Sequence, residues 1–260
     1  MKNKKSTIIT FGDPHITENS IDELSITFDE IIKKYGDKDY IMIMLGDFYD
    51  KKRPTPLEIL FGTKYASIFK EKFKEVIFLS GNHDKTETIG STDYLKYLGI
   101  KIVDDYSYDK MFFGHGMTNH SMMEYGTAIY QVKDLEEKYK LSVLGHLHMF
   151  QKLSSKVFHP GSVRYCGFNE VGYSTKYVGI INNRKIEFKG TSIMRKIDYY
   201  DVATIAVSVE KGGYGVNTYE CTCKNCSVIT TPLGMKPVCC FVLALAIYIN
   251  DKITIQRYAK

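Results

Sequence analysis

Tryptophan is absent, proline occurs only six times in 260 residues, and neither sign of charge dominates, with 35 Lys+Arg against 30 Asp+Glu. So few prolines, with 20 scattered glycines, exclude a collagen-like repeat or a linker-rich chain. The formal charge of +5 is too small to identify an anionic partner by itself. Long apolar runs are lacking too. The longest, Val238 to Ile249, has 12 residues, short of the ~20 needed to span a bilayer. The first residues, MKNKKSTIITFGD, show neither the apolar core nor the small-residue cleavage site of a secretory signal. A soluble intracellular protein with no membrane contact is therefore expected. Cysteine is absent before Cys166, which stands alone, whereas Cys221, Cys223, Cys226, Cys239 and Cys240 cluster near the end. In a reducing compartment these thiols need not pair.

What is present is ordinary globular material, 44% apolar and without low complexity. Its length suits one large domain with a small appendage. Ser6 to Phe11, Tyr40 to Leu45 and Glu75 to Leu79 are short apolar, β-branched runs, each followed by Gly, Asp or Asn. Ile21 to Tyr35 and Leu57 to Phe73 carry apolar residues at helical spacing, and Thr55-Pro56 reads as an N-cap with proline in the first helical position. Such alternation predicts a largely parallel sheet with helices packed on it. After Ile100 shorter strands follow, Met111 to Phe113, Leu141 to Leu144, Lys176 to Ile181 and Arg184 to Phe188, the last two joined at Asn182-Asn183. These predict a second sheet packed on the first. Gly212 to Gly215 reads as a linker into the cysteine-rich tail.

The polar residues sit where strands end. Asp13 and His15 follow the first strand; Asp47 and Asp50 the second; Asn82, His83 and Asp84 the third. His115 closes a fourth, and His146 and His148 follow a fifth. Strand carboxyl ends of an open α/β sheet face a common crevice where ligands bind. Five of the chain's seven histidines fall in this set. The mixture of carboxylate, amide and imidazole donors suits Mn²⁺, Fe²⁺ or Zn²⁺ rather than a structural thiolate zinc site. There are too many donors for one ion and about enough for two sharing a carboxylate. Two such metals, ~3.5–4 Å apart, activate water against phosphate esters. A catalytically empty scaffold is disfavoured, because burying these groups without a cation leaves them unpaired.

Read in order, the blocks Asp13-Pro14-His15, Gly46-Asp47-Phe48-Tyr49-Asp50, Gly81-Asn82-His83-Asp84, Gly114-His115 and Gly145-His146-Leu147-His148 resemble the calcineurin-like metallophosphoesterase superfamily. Arg53-Pro54-Thr55-Pro56, His159-Pro160-Gly161-Ser162 and Phe168-Asn169-Glu170 resemble most its SbcD-type nucleases of DNA repair, phage versions included. The resemblance implies an α/β fold with α/β/β/α layers over residues 1–198, and leaves residues 199–260 as a short cysteine-rich C-terminal extension of unknown role. It implies one ion held by Asp13, His15, Asp47 and His148, and another by Asp47, Asn82, His115 and His146, with Mn²⁺ the expected metal. His83 would act as general acid, with Asp50 or Asp84 orienting it.

DNA is the partner so implied, with an SbcC-like ATPase and a homodimer as further associations, and the cytoplasm as location, the host's if the chain is phage-encoded. Lys51-Lys52-Arg53 stands where protein phosphatases of the superfamily place Arg-Gly after GDxxD. A nucleotide or cyclic-nucleotide phosphodiesterase is the alternative. In the tail, Cys221, Cys223, Cys226 and Cys239 offer a structural zinc site, although incidental thiols explain them as well. His120 and His159 are expected to be loop or packing residues, and Arg164 a surface residue.

Overall fold

The computed structural model describes residues 6–85, 88–121, 127–166, 170 and 175–192, and the backbone of 227–231, 234–238 and 254–255. It divides into two units, Met1–Lys196 and Ile197–Lys260. The first unit runs β1 Ile8–Phe11, α1 Ile21–Tyr35, β2 Ile41–Met44, α2 Pro56–Lys72, β3 Glu75–Leu79, β4 Lys101–Val103, β5 Tyr106–Tyr108 and β6 Met111–His115. It continues with α3 Val132–Lys138, β7 Leu141–Gly145, β8 Gln151–Lys152, β9 Val157–His159, β10 Tyr177–Asn182 and β11 Lys185–Gly190. The second unit contains β12 Ser227–Thr231, β13 Gly234–Val238 and β14 Thr254–Ile255, with β12 antiparallel to both others. The tail cysteines, and with them the zinc expectation, lie outside the described residues, as does the Gly212 to Gly215 stretch.

Two sheets form the first unit, in strand orders β11-β10-β1-β2-β3-β4 and β5-β6-β7-β9-β8. The strands IITF and IMIM are apolar at every position but Thr10 because both faces of their sheet are covered. Ile8, Ile41, Ile43 and Ile77 point one way, into a core shared with Met111, Phe113, Leu141 and Val143 of the second sheet. Ile9, Phe11, Met42, Met44 and Phe78 point the other way, against Leu24, Phe28 and Ile31 of α1 and Phe61, Tyr65 and Phe69 of α2. On the far side, Phe112, Leu144 and Val157 pack against Val132 and Leu135 of α3. The layers are therefore helix, sheet, sheet, helix, as expected.

One strand assignment differs. The hairpin β10–β11 joins the first sheet, with β10 antiparallel to β1, rather than the second. Its addition covers the edge of β1, which the parallel set β1-β2-β3-β4 would leave open. The turn also sits one residue later than read from the sequence. Asn182 pairs with Lys185, and Asn183 and Arg184 take φ of 50° and 64°, the left-handed pair that a two-residue hairpin turn requires.

α2 begins as its sequence suggests, with Pro56 first and Thr55 as the cap. Thr55 Oγ1 accepts from Glu58 N at 3.3 Å, and Glu58 Oε2 accepts from Thr55 N at 2.7 Å. Thr55→Ala is expected to cost about 1 kcal/mol, read as a lower urea midpoint with an unchanged slope. An unchanged midpoint would show that the cap does not set the helix start.

Candidate metal centre

Parallel pairing brings the carboxyl ends of β1, β2 and β3 to one edge of the first sheet, and those of β6 and β7 to one edge of the second. The loops after β1 and β2 zip together beyond the strands. Asp13 N donates to Gly46 O at 3.1 Å, His15 N to Asp47 O at 3.0 Å and Ile16 N to Phe48 O at 3.0 Å. Four candidate donors carry backbone strain: Asp13, His15, Asp47 and His146 have φ of 54°, 43°, 51° and 89°. Left-handed backbone at non-glycine residues costs about 1–3 kcal/mol each and persists where surrounding structure imposes it. Glycine is needed beside them for space. A Cβ on Gly81 would lie 2.0 Å from Asp47 Oδ1, and one on Gly145 would lie 2.2 Å from Leu45 O.

All seven candidate ligands converge. In one group, His15 Nε2 and His148 Nε2 face each other at 3.0 Å, with the Asp13 carboxylate beside them. In the other, Asn82 Oδ1 lies 3.1 Å from His115 Nε2 and 2.8 Å from His146 Nδ1. Asp47 Oδ2 belongs to both, at 3.6 Å from His15 Nε2 and 3.2 Å from His115 Nε2. The carboxylates form the floor, since Asp13 and Asp47 are buried. Asn82 is exposed, and His83, His146 and His148 are partly exposed, at the rim.

The electrostatics call for a cation. Burial, opposed by the neighbouring imidazoles and aided by the charge of Asp47, pushes the Asp13 carboxyl up. Its Oδ2 is buried without a hydrogen-bond partner, a costly state that a cation relieves. Burial acts against ionisation of Asp47 too, but hydrogen bonding to His115 and the charges of His115 and His15 hold it down to about 2. For His115, burial is outweighed by Asp47, by Asp13 and by the Leu45 carbonyl, and the imidazole rises to about 9. Burial and the charge of His115 push His146 down to about 4, leaving it neutral and able to ligate. The residues fit two divalent ions: lone-pair atoms from carboxylate, amide and imidazole crowd together around one shared carboxylate, with a buried oxygen left over.

Around the donors the structure assigns jobs that differ in part from expectation. His83 Nδ1 donates to the main-chain oxygen of Asp50 at 2.6 Å, and the Asp50 carboxylate faces His15 Nδ1 at 3.3 Å. Asp84 does not orient His83 through its side chain: its carboxylate accepts from Phe48 N, Tyr49 N and Gly81 N and clamps the loop. Arg164 is no surface residue. It is 7% exposed and donates to Pro14 O, His15 O and Tyr165 O, locking the Asp13–His15 loop. His159 is buried in β9, where burial pushes its imidazole down to about 4, and His120 lies exposed in a loop. Sequence reasoning gave Glu170 and Lys176 no role at the site, yet both are buried behind His148.

A family model described as calcineurin-like phosphoesterase matches residues 6–178. Among solved structures, a protein serine/threonine phosphatase from Saccharomyces cerevisiae is 12% identical, aligning 77% of this chain with 83% of that one at a TM-score of 0.48. Nuclease MPE from Pseudomonas putida is 12% identical over 70% of this chain and 87% of that one, at 0.39. A cold-active protein-tyrosine phosphatase from a psychrophilic Shewanella is 14% identical over 71% and 78%, at 0.41. No curated protein sequence matches.

In the metal-free protein the raised pKa keeps His115 protonated beside ionised Asp47 at neutral pH. A cation taking the His115 Nε2 lone pair must displace that proton, so affinity rises with pH up to about 9. Calorimetry with Mn²⁺ in buffers of different ionisation enthalpy is expected to show protons released at neutral pH and weaker binding as pH falls. Asp47→Asn is expected to weaken both ions. Binding independent of pH would contradict this reading of the Asp47–His115 pair.

Proposed function

This chain belongs to the calcineurin-like phosphoesterase family, and from that premise we propose that it is a two-metal phosphodiesterase acting on DNA, a nuclease of the SbcD type serving DNA repair or phage DNA metabolism. The family is one of metal-dependent hydrolases. The observation that carries the reading is Asp47 Oδ2, which faces His15 on one side and His115 on the other. Asp13, His15, Asp47 and His148 would hold one ion, and Asp47, Asn82, His115 and His146 the other, with Mn²⁺ the proposed metal. Two divalent ions there supply charge neutralisation for a phosphoryl group and lower the pKa of a water nucleophile.

His83 supplies the proton. Its Nδ1 is committed to Asp50 O, so Nε2 is the ring atom left to carry a proton to the leaving oxygen. Its ring lies edge-on to that of His15, with centroids 4.7 Å apart, which keeps it beside the donors. Because the carboxylates form the floor and Asn82 and His83 the rim, a phosphate diester enters over the loop that carries Asn82.

The choice of DNA is supported by cations around that rim. Lys52 and Arg53 closely follow Asp50 and are exposed, while Lys51 and Lys85, also exposed, lie 3.9 Å from Glu58 and 3.0 Å from Asp104. A polyanion extending beyond the scissile phosphate gains from them, whereas a mononucleotide reaches fewer.

His83→Ala is expected to keep both ions and lose about 10²–10⁴-fold in rate, checked by parallel metal titration and turnover of a chromogenic phosphodiester. With Mn²⁺ present, linear DNA is expected to be cleaved, with affinity falling steeply as salt rises. Rapid hydrolysis of a cyclic nucleotide beside intact DNA would move the substrate to small nucleotides.

A further inference from the structure

Behind His148 lies an ion pair that the reaction itself does not use. Glu170 is 0% and Lys176 2% exposed, and Lys176 Nζ contacts Glu170 Oε2 directly. Both partners grip the same residue. Glu170 Oε1 accepts from His148 Nδ1 at 3.0 Å, while Lys176 Nζ donates to the main-chain oxygen of His148 at 3.1 Å. Ser162 closes the arrangement: its Oγ lies 2.8 Å from Lys176 Nζ and 3.1 Å from Glu170 Oε2, and its N–H donates to His148 O at 3.1 Å. Cys166 N donates to Glu170 Oε1 at 3.1 Å.

A buried ion pair is a weak device for stability, since apolar residues of similar volume often serve as well. This pair instead holds the ring and the backbone of one metal-ligand candidate. We infer that Glu170, pinned by Lys176, is a positioning residue that fixes the Nδ1–H form of His148 and aims Nε2 at the ion shared with Asp13 and His15. The inference rests on the metal-centre reading above and adds an asymmetry to it. In the other donor set, among the described residues, His115 Nδ1 hydrogen-bonds the carbonyl Leu45 O at 2.7 Å, with the Asp13 carboxylate at 3.9 Å, beyond hydrogen-bond reach. Carboxylate support raises imidazole basicity more than a carbonyl does, so the ion at His148 depends on a group that the other ion does not touch. The cluster is not a third cation site, because the ammonium of Lys176 already neutralises Glu170, and burial pushes the Cys166 thiol up to about 12, away from thiolate.

In Glu170→Gln the amide oxygen turns to Lys176, leaving the NH₂ facing His148 Nδ1. That contact favours the opposite tautomer. The metal-free parent is expected to show a slowly exchanging, downfield imidazole N–H resonance from His148, lost in Glu170→Gln. Calorimetry of the full chain with Mn²⁺ is expected to show two binding events in the parent, with one weakened about 10–100-fold in the variant and the other unchanged. Glu170→Gln with Lys176→Met removes the buried charge as well, and serves if the single variant does not fold. A folded variant that keeps the resonance, or binds both ions as the parent does, would overturn the inference. A parent that binds no Mn²⁺ would defeat the metal-centre reading instead, and the resonance would still decide the role of Glu170.

Discussion

Two buried carboxylates, Asp13 and Asp47, stand where the ends of two sheets meet, and the surrounding structure is arranged around their charge. Like charges in a low-dielectric site are costly, and here each is met by imidazoles and main-chain N–H groups. Asp13 Oδ1 accepts from His146 N at 2.9 Å, tying the loop after β1 to the loop after β7 of the second sheet, and Asp47 Oδ1 accepts from His83 N at 2.9 Å, tying the loop after β2 to the loop after β3. What remains is an unpartnered Asp13 oxygen and a set of lone pairs facing inward. Strained backbone at four of the donors is held by the core beneath. The apolar layers between the sheets and under the helices therefore matter to function as the rigid support for that strain.

Much of this is legible in the amino-acid sequence. Continuous apolar strands, each stopping at a glycine and a polar residue, place Asp13, Asp47, Asn82, His115 and His146 at strand ends because a fully buried sheet admits such residues only where the strand stops. The four-layer arrangement follows from the same runs, since strands apolar on both faces need cover on both. The placement of β10–β11 is not legible there. Whether a hairpin adds to one sheet or the other depends on which edge stands open in three dimensions, and local periodicity is silent on that. The supporting charges are not legible either. Arg164, Glu170 and Lys176 are single charged residues in loops or at a strand start, which are ordinarily solvated. A signal exists only in their neighbourhood, because Ser162 and Arg164 closely follow the His159-Pro160-Gly161 turn.

The roles divide by depth. The carboxylates, His15 and His115 lie deepest, the partly exposed His146 and His148 and the exposed Asn82 form the rim, and His83 is held at that rim by a main-chain oxygen rather than by a carboxylate. Beneath, Asp84 ties its own loop, which carries Asn82 and His83, to the loop after Asp47, while Arg164 clamps the loop that carries Asp13 and His15. Each clamp binds main-chain atoms, so each fixes the direction of the strained residues without competing for a cation.

Two divalent ions are proposed to share Asp47. The most direct test is a crystal structure of the protein grown with Mn²⁺, with anomalous differences measured at the manganese edge. Two anomalous peaks are expected on either side of Asp47 Oδ2, one against Asp13, His15 and His148 and the other against Asn82, His115 and His146. A single peak, or peaks that do not touch Asp47, would contradict a shared Asp47.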